Sequence, residues 1–377
     1  MDNRAKFELI TRNLEEVLTP ADLMKLIEND EPLKHYIGFE ISGKVHLGTG
    51  LMCMSKIKDF MDAGADVSVF LADWHSWIND KLGGDREVIK KIAVGYFKEA
   101  MKASLLCLGG NPEKIRFVLG TELYHNNDDY WATMIDVSKN TTLGRMTRSI
   151  TILGRKEGEG VDFAKLIYPA MQVSDIFVQK LNIPHAGIDQ RKAQVIAREV
   201  ALKMKVSQIT DKEGNKIKPV ALHHHLLLGL GKPPVWPVPQ DKLQDLWSSM
   251  KMSKSKPDTC VFVHDSPDEI KRKIAKAFCP EGETVFNPVL DWAKYLLFRE
   301  TTDELIVKRP EKFGGTVIYT TYEKLEKDFA DKKVHPMDLK DSVAESLIKL
   351  LEPARIHFEK PEIKKTLDQL NKLITTR

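Results

Sequence analysis

Residues 35–75 alternate two kinds of segment in a succession that few folds accommodate. HYIGFE (35–40) reads as a short strand, SGKVHLGTG (42–50) as a turn of small residues, and LMCMSKIKDFMDAG as an apolar helix closed by Gly64. VSVFLADWH (67–75) follows, β-branched and aromatic, as expected of a strand buried on both faces. Such a strand, joined to its predecessor by a helix, predicts parallel pairing under helices that cover both sides of the sheet. The alternation continues with helical stretches over about 86–107 and 127–156, and a strand, IRFVLGTE, at 115–122 between them. A helix opened by Pro169 is expected over about 169–180. Upstream, residues 1–30 carry helical periodicity through Phe7, Ile10, Val17, Leu23 and Ile27. The expected class is α/β, a Rossmann-like parallel sheet.

The pattern changes beyond residue 200. VSQITDKEGNKIKP (206–219) predicts a hairpin around Glu213, Gly214 and Asn215, and KPPVWPVPQ (232–240) a stiff extended connector, since its prolines exclude helix and central strand. KMSKSKPD (251–258) is an exposed loop. From about 265 the periodicity is helical: Ser266 caps a helix with Pro267 in its first turn, and DLKDSVAESLIKLLEPARIHFEK is strongly amphipathic. This divides the chain into an α/β domain over 1–262, carrying an insertion at about 206–247, and a helical C-terminal domain over 263–377.

Composition narrows the class of partner. A formal charge of +3 over 377 residues is no polycation, so any nucleic-acid surface must be a local patch. One candidate spans residues 139–156, where Lys139, Arg145, Arg148, Arg155 and Lys156 occur without an acid before the last of them, and Arg145, Arg148 and Arg155 are expected on one helical face. A solvated helix face is the plain alternative. Residues 265–377 carry no net formal charge, so RNA held there must be read by shape and stacking. Cys53, Cys107, Cys260 and Cys279 form no CxxC pair, which argues against a disulfide framework or zinc ribbon and for a reducing compartment. The N-terminus lacks the apolar run of a signal peptide, and no stretch is long enough to span a membrane, so a cytoplasmic protein is expected.

No GxxxxGK[ST] loop occurs. Instead, HLGTG (46–50) lies between a strand and a helix, which brings backbone N–H groups and an imidazole to a helix N-terminus, a site built for anions. KMSKS (251–255) sets Lys251 and Lys254 on a loop with hydroxyls between them. Two lysines and a histidine on a triphosphate would stabilise the charge that grows in nucleotidyl transfer. Each motif alone is weak; their order at opposite ends of one α/β domain is not.

Tyr168, Gln172 and Asp175 follow i, i+4, i+7 spacing on one helix face, while Met171, Val173 and Ile176 make the rest of that helix apolar. A phenol, an amide and a carboxylate facing a packed interior need a polar ligand, although a solvent-facing polar stripe has the same spacing. Tyr36 comes from the strand beneath, and Gln190 from the next strand-to-loop junction. His223-His224-His225 resembles a metal tract, but three consecutive residues on a regular element cannot face one ion, and no metal set is read there. Trp74 and Trp77, flanking His75, are read as core and pocket wall.

These segments together resemble the class I aminoacyl-tRNA synthetases, and within them the tyrosyl-tRNA synthetases of the archaeal and eukaryotic type. The resemblance rests on YIGFE at 36–40 with HLG at 46–48, LADWHSW at 71–77, IYPAMQVSDI at 167–176, GIDQRK at 187–192, KMSKS at 251–255, KRPEKFGG at 308–315 and HPMDLK at 335–340, in family order over nearly the whole chain. Where the family commonly has a second motif histidine, this chain has Thr49, which can hydrogen-bond a phosphate but has no imidazole.

The resemblance implies that Tyr36 and Asp175 grip a tyrosine hydroxyl while Tyr168, Gln172 and Gln190 hold its α-amino end. It implies ATP, with accompanying Mg²⁺, on His46, Gly48, Thr49, Gly187, Asp189, Lys251, Met252, Ser253, Lys254 and Ser255. A connective region at about 120–165 is expected to receive the acceptor stem of tRNA(Tyr), with Arg148, Arg191 and Lys192 at the first base pair. Phe313 and Asp338 are expected on the first anticodon base. A homodimer is implied, for which the apolar-rich 130–150 segment is a candidate surface. No inserted segment is large enough for an editing domain. The expected reaction is tyrosine activation and transfer to tRNA; the competing readings are a tryptophan-specific ligase, against which polar Tyr36 and Asp175 speak, and an RNA-binding scaffold without catalysis.

Overall fold

The computed structural model describes residues 1–155 and 160–375. Among them six strands form one sheet: β1 (Leu14–Val17), β2 (Lys34–Phe39), β3 (Asp66–Leu71), β4 (Arg116–Leu119), β5 (Ile183–Gly187) and β6 (Leu222–His224), in the order β1-β6-β5-β2-β3-β4. Neighbours are parallel except β1, which runs antiparallel to β6 at one edge. The α/β, Rossmann-like expectation therefore holds. Val67–Leu71 of β3 is buried throughout between β2 and β4, which is why its sequence shows no polar alternation. From β2 the chain builds outward to β3 and β4, then returns to add β5 and β6 on the other side. Strand order thus reverses between β2 and β5, and the diverging connections leave a crevice at their carboxyl ends.

Several element boundaries differ from the sequence reading, each for a local or tertiary reason. Residues 1–30 are two helices, Asn3–Thr11 and Pro20–Glu28, interrupted by β1, whose partner β6 lies some two hundred residues away and leaves no local signal. The strand expected to reach His75 stops at Leu71. Asp73, bonded to the Thr121 backbone N–H at 3.0 Å and to its hydroxyl, opens the helix Asp73–Ile78, which carries His75. Pro169 does not begin a helix. It sits inside Phe163–Val178, which starts where Asp162 accepts from the Lys165 N–H at 3.2 Å. The long helix expected over 127–156 is split into Asp128–Lys139 and Leu143–Ser149, the second capped by Thr142 on the Arg145 N–H at 3.2 Å.

The expected turn at Gly214 is present, with φ +88° and an antiparallel bridge between Thr210 and Lys216. Beyond residue 263 the chain is mainly helical, beginning with Pro267–Ala275, where Ser266 accepts from the Glu269 N–H at 3.3 Å as a cap. A small antiparallel pair, β7 (Leu305–Val307) and β8 (Val317–Tyr319), interrupts it. One apolar core runs from Leu51, Phe60 and Val69 through Val263 to Trp292, Leu325 and Leu347, so the sheet and the helical C-terminal region share an interior. A second cluster, including Tyr36, Phe70, Tyr130, Tyr168 and Phe177, forms the floor of the crevice. Among the described residues no helix is long and apolar enough to cross a membrane.

Candidate active site

A cavity of about 600 Å³ opens at the reversal point between β2 and β5. Tyr36, His46, Gly48, Thr49, Tyr168, Gln172, Asp175, Gly187, Asp189, Gln190, Lys251, Met252, Ser253 and Lys254 all line it. Ser255 lies just outside the wall, exposed, its hydroxyl 3.0 Å from that of Ser253. Residues from five separate segments thus converge on one crevice.

At its inner end, β2 and the helix Phe163–Val178 bring Tyr36, Tyr168, Gln172 and Asp175 into the wall. The Tyr124 hydroxyl donates to Asp175 Oδ1 at 2.9 Å, while Asp175 Oδ2 has no hydrogen-bond partner and lies 3.6 Å from His75 Nε2. Burial pushes the Asp175 carboxyl well above the ordinary range, against the opposing donation from Tyr124. A neutral acid here donates from Oδ2 to a phenol oxygen, and an ionised one accepts the phenol's proton; either state needs a hydroxyl. Burial, with Asp175 beside it, likewise holds Tyr36 as the neutral phenol. His75 packs edge-on against Tyr168 with ring centroids 4.6 Å apart, and burial lowers its imidazole to about 3.

Towards the mouth, Gln172 Nε2 donates to Gln190 Oε1 at 3.3 Å, leaving Gln172 Oε1 buried and unpartnered. Gln190 Nε2 is anchored on the Ile152 carbonyl at 3.0 Å. The Tyr168 hydroxyl donates to Glu40 Oε1 at 3.0 Å, Asn79 Nδ2 to the same oxygen at 2.8 Å, and Lys81 Nζ lies 3.1 Å from Glu40 Oε2. Tyr168, Glu40 and two glutamine oxygens form an acceptor-rich pocket for an ammonium group. Sequence reasoning missed Glu40, although strand alternation carries it to the same side as Tyr36. Gly38 between them leaves the space, since a Cβ there would stand 3.1 Å from Tyr36 Oη. His75, Asn79 and Tyr124 were legible only from the tertiary contacts.

The opposite end is built from loops. Val45 and Leu47 exchange backbone hydrogen bonds with Val263 and Val261 at 3.1 and 3.0 Å, which pins HLGTG beside the segment that follows KMSKS. A Cβ at Gly48 would meet the His46 ring at 3.3 Å, and one at Gly187 would lie 2.6 Å from Asp189 Oδ1. His46 Nε2 lies 3.3 Å from Thr49 Oγ1. Burial first, then Lys254 and Lys251, push His46 to about 3, which makes it a neutral hydrogen-bonding group. Lys251 Nζ lies 2.5 Å from Asp189 Oδ2 and Lys254 Nζ 2.5 Å from Ser42 Oγ. Burial, then Lys81, lower the Lys254 ammonium to about 8.

The residues expected on RNA fall into two groups. Arg148 is exposed at the end of its helix, and its carbonyl accepts from Lys192 Nζ at 2.9 Å; neighbouring Arg191 pairs with Glu16 at 2.8 Å. Arg145 pairs with Glu199 at 2.7 Å. Arg155 does not share a helical face with Arg145 and Arg148, because left-handed Gly154 (φ +79°) ends the turn before it, and it joins the crevice wall instead. Lys156 lies outside the described residues. Far from these, Phe313 is 61% exposed in a turn closed by Gly314 and Gly315 at φ +95° and +67°. Arg309 bonds the Gly315 carbonyl at 3.0 Å and the Lys333 carbonyl at 2.5 Å. That ties the turn to the entry of the helix Pro336–Leu350, whose first turn holds half-buried Asp338.

Residues 28–352 match the family model of the class I tRNA synthetases for tryptophan and tyrosine. A tyrosine–tRNA ligase of Thermococcus sibiricus is 60% identical over 362 residues, 96% of each chain. The crystal structure of a tyrosyl-tRNA synthetase from Pyrococcus horikoshii, complexed with L-tyrosine, superposes with a TM-score of 0.95 at 56% identity, covering 99% of this chain and 100% of that one. That of Aeropyrum pernix gives 0.81 at 41% identity over 99% and 100%.

Proposed function

The chain belongs to the class I tRNA synthetases for tryptophan and tyrosine, and within them to the tyrosine–tRNA ligases; from that premise we propose how its residues divide the work. The reaction activates L-tyrosine with ATP to tyrosyl-adenylate, then transfers tyrosine to the 3′ end of tRNA, releasing pyrophosphate and AMP in turn. No enzymic nucleophile is required. Catalysis is positioning together with electrostatic stabilisation.

The tyrosine hydroxyl sits between Tyr36 and Asp175, and its ammonium among Tyr168, Gln172, Gln190 and Glu40. This aims the carboxylate at the α-phosphate of ATP. Asp189 takes the ribose, Gly48 and Gly187 let the nucleoside approach, and Thr49, Met252, Ser253 and Ser255 complete the ATP walls. Neutral His46 donates a hydrogen bond to phosphate while Lys251 and Lys254 follow the negative charge onto departing pyrophosphate. Both lysines must first leave Asp189 and Ser42, which lie within 2.5 Å. ATP therefore reorganises the KMSKS loop as it binds. Magnesium would accompany ATP and help neutralise its phosphate charge, held through the nucleotide and solvent and not by a protein carboxylate set.

Residues 1–262 form the catalytic domain and 263–377 the anticodon-binding domain. Arg148, Arg191 and Lys192 hold the acceptor end of tRNA(Tyr), and Phe313 and Asp338 take the first anticodon base. Trp131, Ile135, Leu143 and Phe163 stand exposed and apolar around the connective helices, a face suited to a homodimer contact. The enzyme works in the cytoplasm, where its substrates are.

The observation that carries this reading is the placement of Asp175 and Tyr36 at one end of a single crevice and of His46, Lys251 and Lys254 at the other. Amino-acid-dependent ATP–pyrophosphate exchange across the twenty amino acids tests it. Exchange with tyrosine alone is expected; exchange with tryptophan, or with none, overturns it.

A further inference from the structure

Asp291 lies in the helical C-terminal region, in the helix Pro288–Trp292, not in the crevice wall itself but directly behind His225, which lines it. Its two oxygens do separate jobs. Oδ1 binds His225 Nε2 at 2.7 Å, and Oδ2 accepts the Leu228 backbone N–H at 2.9 Å. Next to it, Trp292 Nε1 donates to the Leu228 carbonyl at 2.8 Å, so both polar groups of one peptide segment are held from the same short helix. His225 is gripped from three further sides. Glu15 of β1 lies 3.1 Å from Nδ1, the Tyr295 ring stacks at 4.0 Å, and Trp247 packs edge-on at 5.3 Å. Asp291, Trp292, His225 and Leu228 are all buried.

The segment 225–230 held in this way is the one on which the lysine loop is hung. Leu228 pairs antiparallel with Lys251. The Met252 N–H donates to the Leu227 carbonyl at 2.7 Å, and the Gly229 N–H to the Met250 carbonyl at 2.7 Å. Lys251 therefore reaches Asp189 from a backbone bridged to Leu228, the residue that Asp291 and Trp292 hold. The contrast with the tyrosine end is clear: β2 and the helix Phe163–Val178, which carry Tyr36 and Asp175, have no hydrogen bond to this helix among the contacts of the described residues.

We propose that Asp291 is a positioning residue for adenylate formation, acting from the helical C-terminal region through Leu228 and His225 on the backbone of Lys251 and Met252. The inference rests on the ligase reading above and goes beyond it in giving a residue outside the crevice a share in the chemical step. Misplacing a charged group by about an ångström costs up to ~100-fold in rate when the transition state alone uses it. A disturbance at Asp291 should thus appear in the activation rate rather than in tyrosine affinity.

The test uses the full chain in tyrosine-dependent ATP–pyrophosphate exchange, with pre-steady-state adenylate formation alongside. Asp291→Ala should lower the rate of adenylate formation by about 10- to 100-fold while the KM for tyrosine stays unchanged. Asp291→Asn, which keeps an acceptor for the Leu228 N–H and a polar partner for His225, should restore most of the rate. Trp292→Phe removes only the bond to the Leu228 carbonyl and keeps the ring packed, so it reports even if Asp291→Ala fails to fold; a smaller loss in the same direction is expected. The proposal is overturned if soluble variants keep the wild-type rate, or if rate and tyrosine affinity fall together in step with the folded fraction. An inactive wild-type chain would instead refute the ligase reading, so the two failures are distinguishable.

Discussion

The two ends of the crevice solve opposite problems. At the tyrosine end, side chains stand on a strand and a long helix, and several buried polar atoms have no partner: Asp175 Oδ2, Gln172 Oε1 and both nitrogens of His75. At the phosphate end the groups stand on loops and are already engaged, Lys251 with Asp189, Lys254 with Ser42 and His46 with Thr49. Unmet hydrogen bonds in a rigid wall make a recognition site, because the right ligand restores partners that a wrong one cannot. Engaged charges on loops make a site that must exchange partners as the reaction proceeds. Such groups can bind the transition state better than the ground state, which is the condition for lowering a barrier.

Two large expected effects would break the comparison if they failed. Lys254→Ala should slow adenylate formation by about 10²–10³-fold, the cost of losing one preorganised group at developing charge, while tyrosine binding by equilibrium dialysis stays as in the wild type. Equal losses in both would mean that the two ends are not separable. Asp175→Ala should do the converse, collapsing the preference for tyrosine over phenylalanine; tyrosyl-tRNA synthetases are themselves the reference case for that preference, about 10⁵ without editing. Exchange kinetics with the two amino acids decide it, and a preserved preference would remove Asp175 from recognition.

Smaller effects sharpen the division. Phe313→Ala should leave exchange untouched and raise the KM for tRNA roughly tenfold, within the range of about 1–3 kcal/mol for a base stacked on an aromatic ring. An unchanged KM for tRNA would return Phe313 to an ordinary surface aromatic. Mildest of all is a pH effect. With Lys254 lowered to about 8 by burial and Lys81, its charge is present below that value and lost above it, so kcat/KM for ATP should decline as pH rises through about 8. Lys254→Arg should abolish that inflection, and a profile flat to pH 9 in the wild type would contradict it.

Stability should depend on pH in the opposite sense. His35, His46 and His75 are pushed to about 3, and His223 and His224 to about 4, all chiefly by burial. The unfolded chain therefore binds more protons than the folded one between about pH 6.5 and 4, and stability falls as pH is lowered through that window. His225 works the other way. Burial is outweighed by Asp291 and Glu15, which raise it to about 9, so its contribution is full below its unfolded value and fades as pH rises through 9. Thermal midpoints measured from pH 8 to 4 should drop at the acid end.

Much of this molecule was determined by the sequence alone. Local chemistry wrote the parallel sheet into the apolar run at 67–71, a turn of small residues at a helix N-terminus into HLGTG, two lysines on a loop into KMSKS, and a shared polar helix face into the spacing of Tyr168, Gln172 and Asp175. Each is a short-range property, set by side-chain alternation, helical periodicity or backbone freedom. What only the tertiary structure decided is everything that depends on distant segments meeting. β1 exists because β6 lies beside it. His75 faces the pocket because Asp73 meets Thr121, and His46 is neutral because burial, and then the charges of Lys254 and Lys251, lower its imidazole. The backbone of Lys251 is bridged to Leu228, whose N–H is held by Asp291, forty residues further on. Burial and long-range hydrogen bonding set protonation and aim, and neither is a property of any residue's neighbours in the chain.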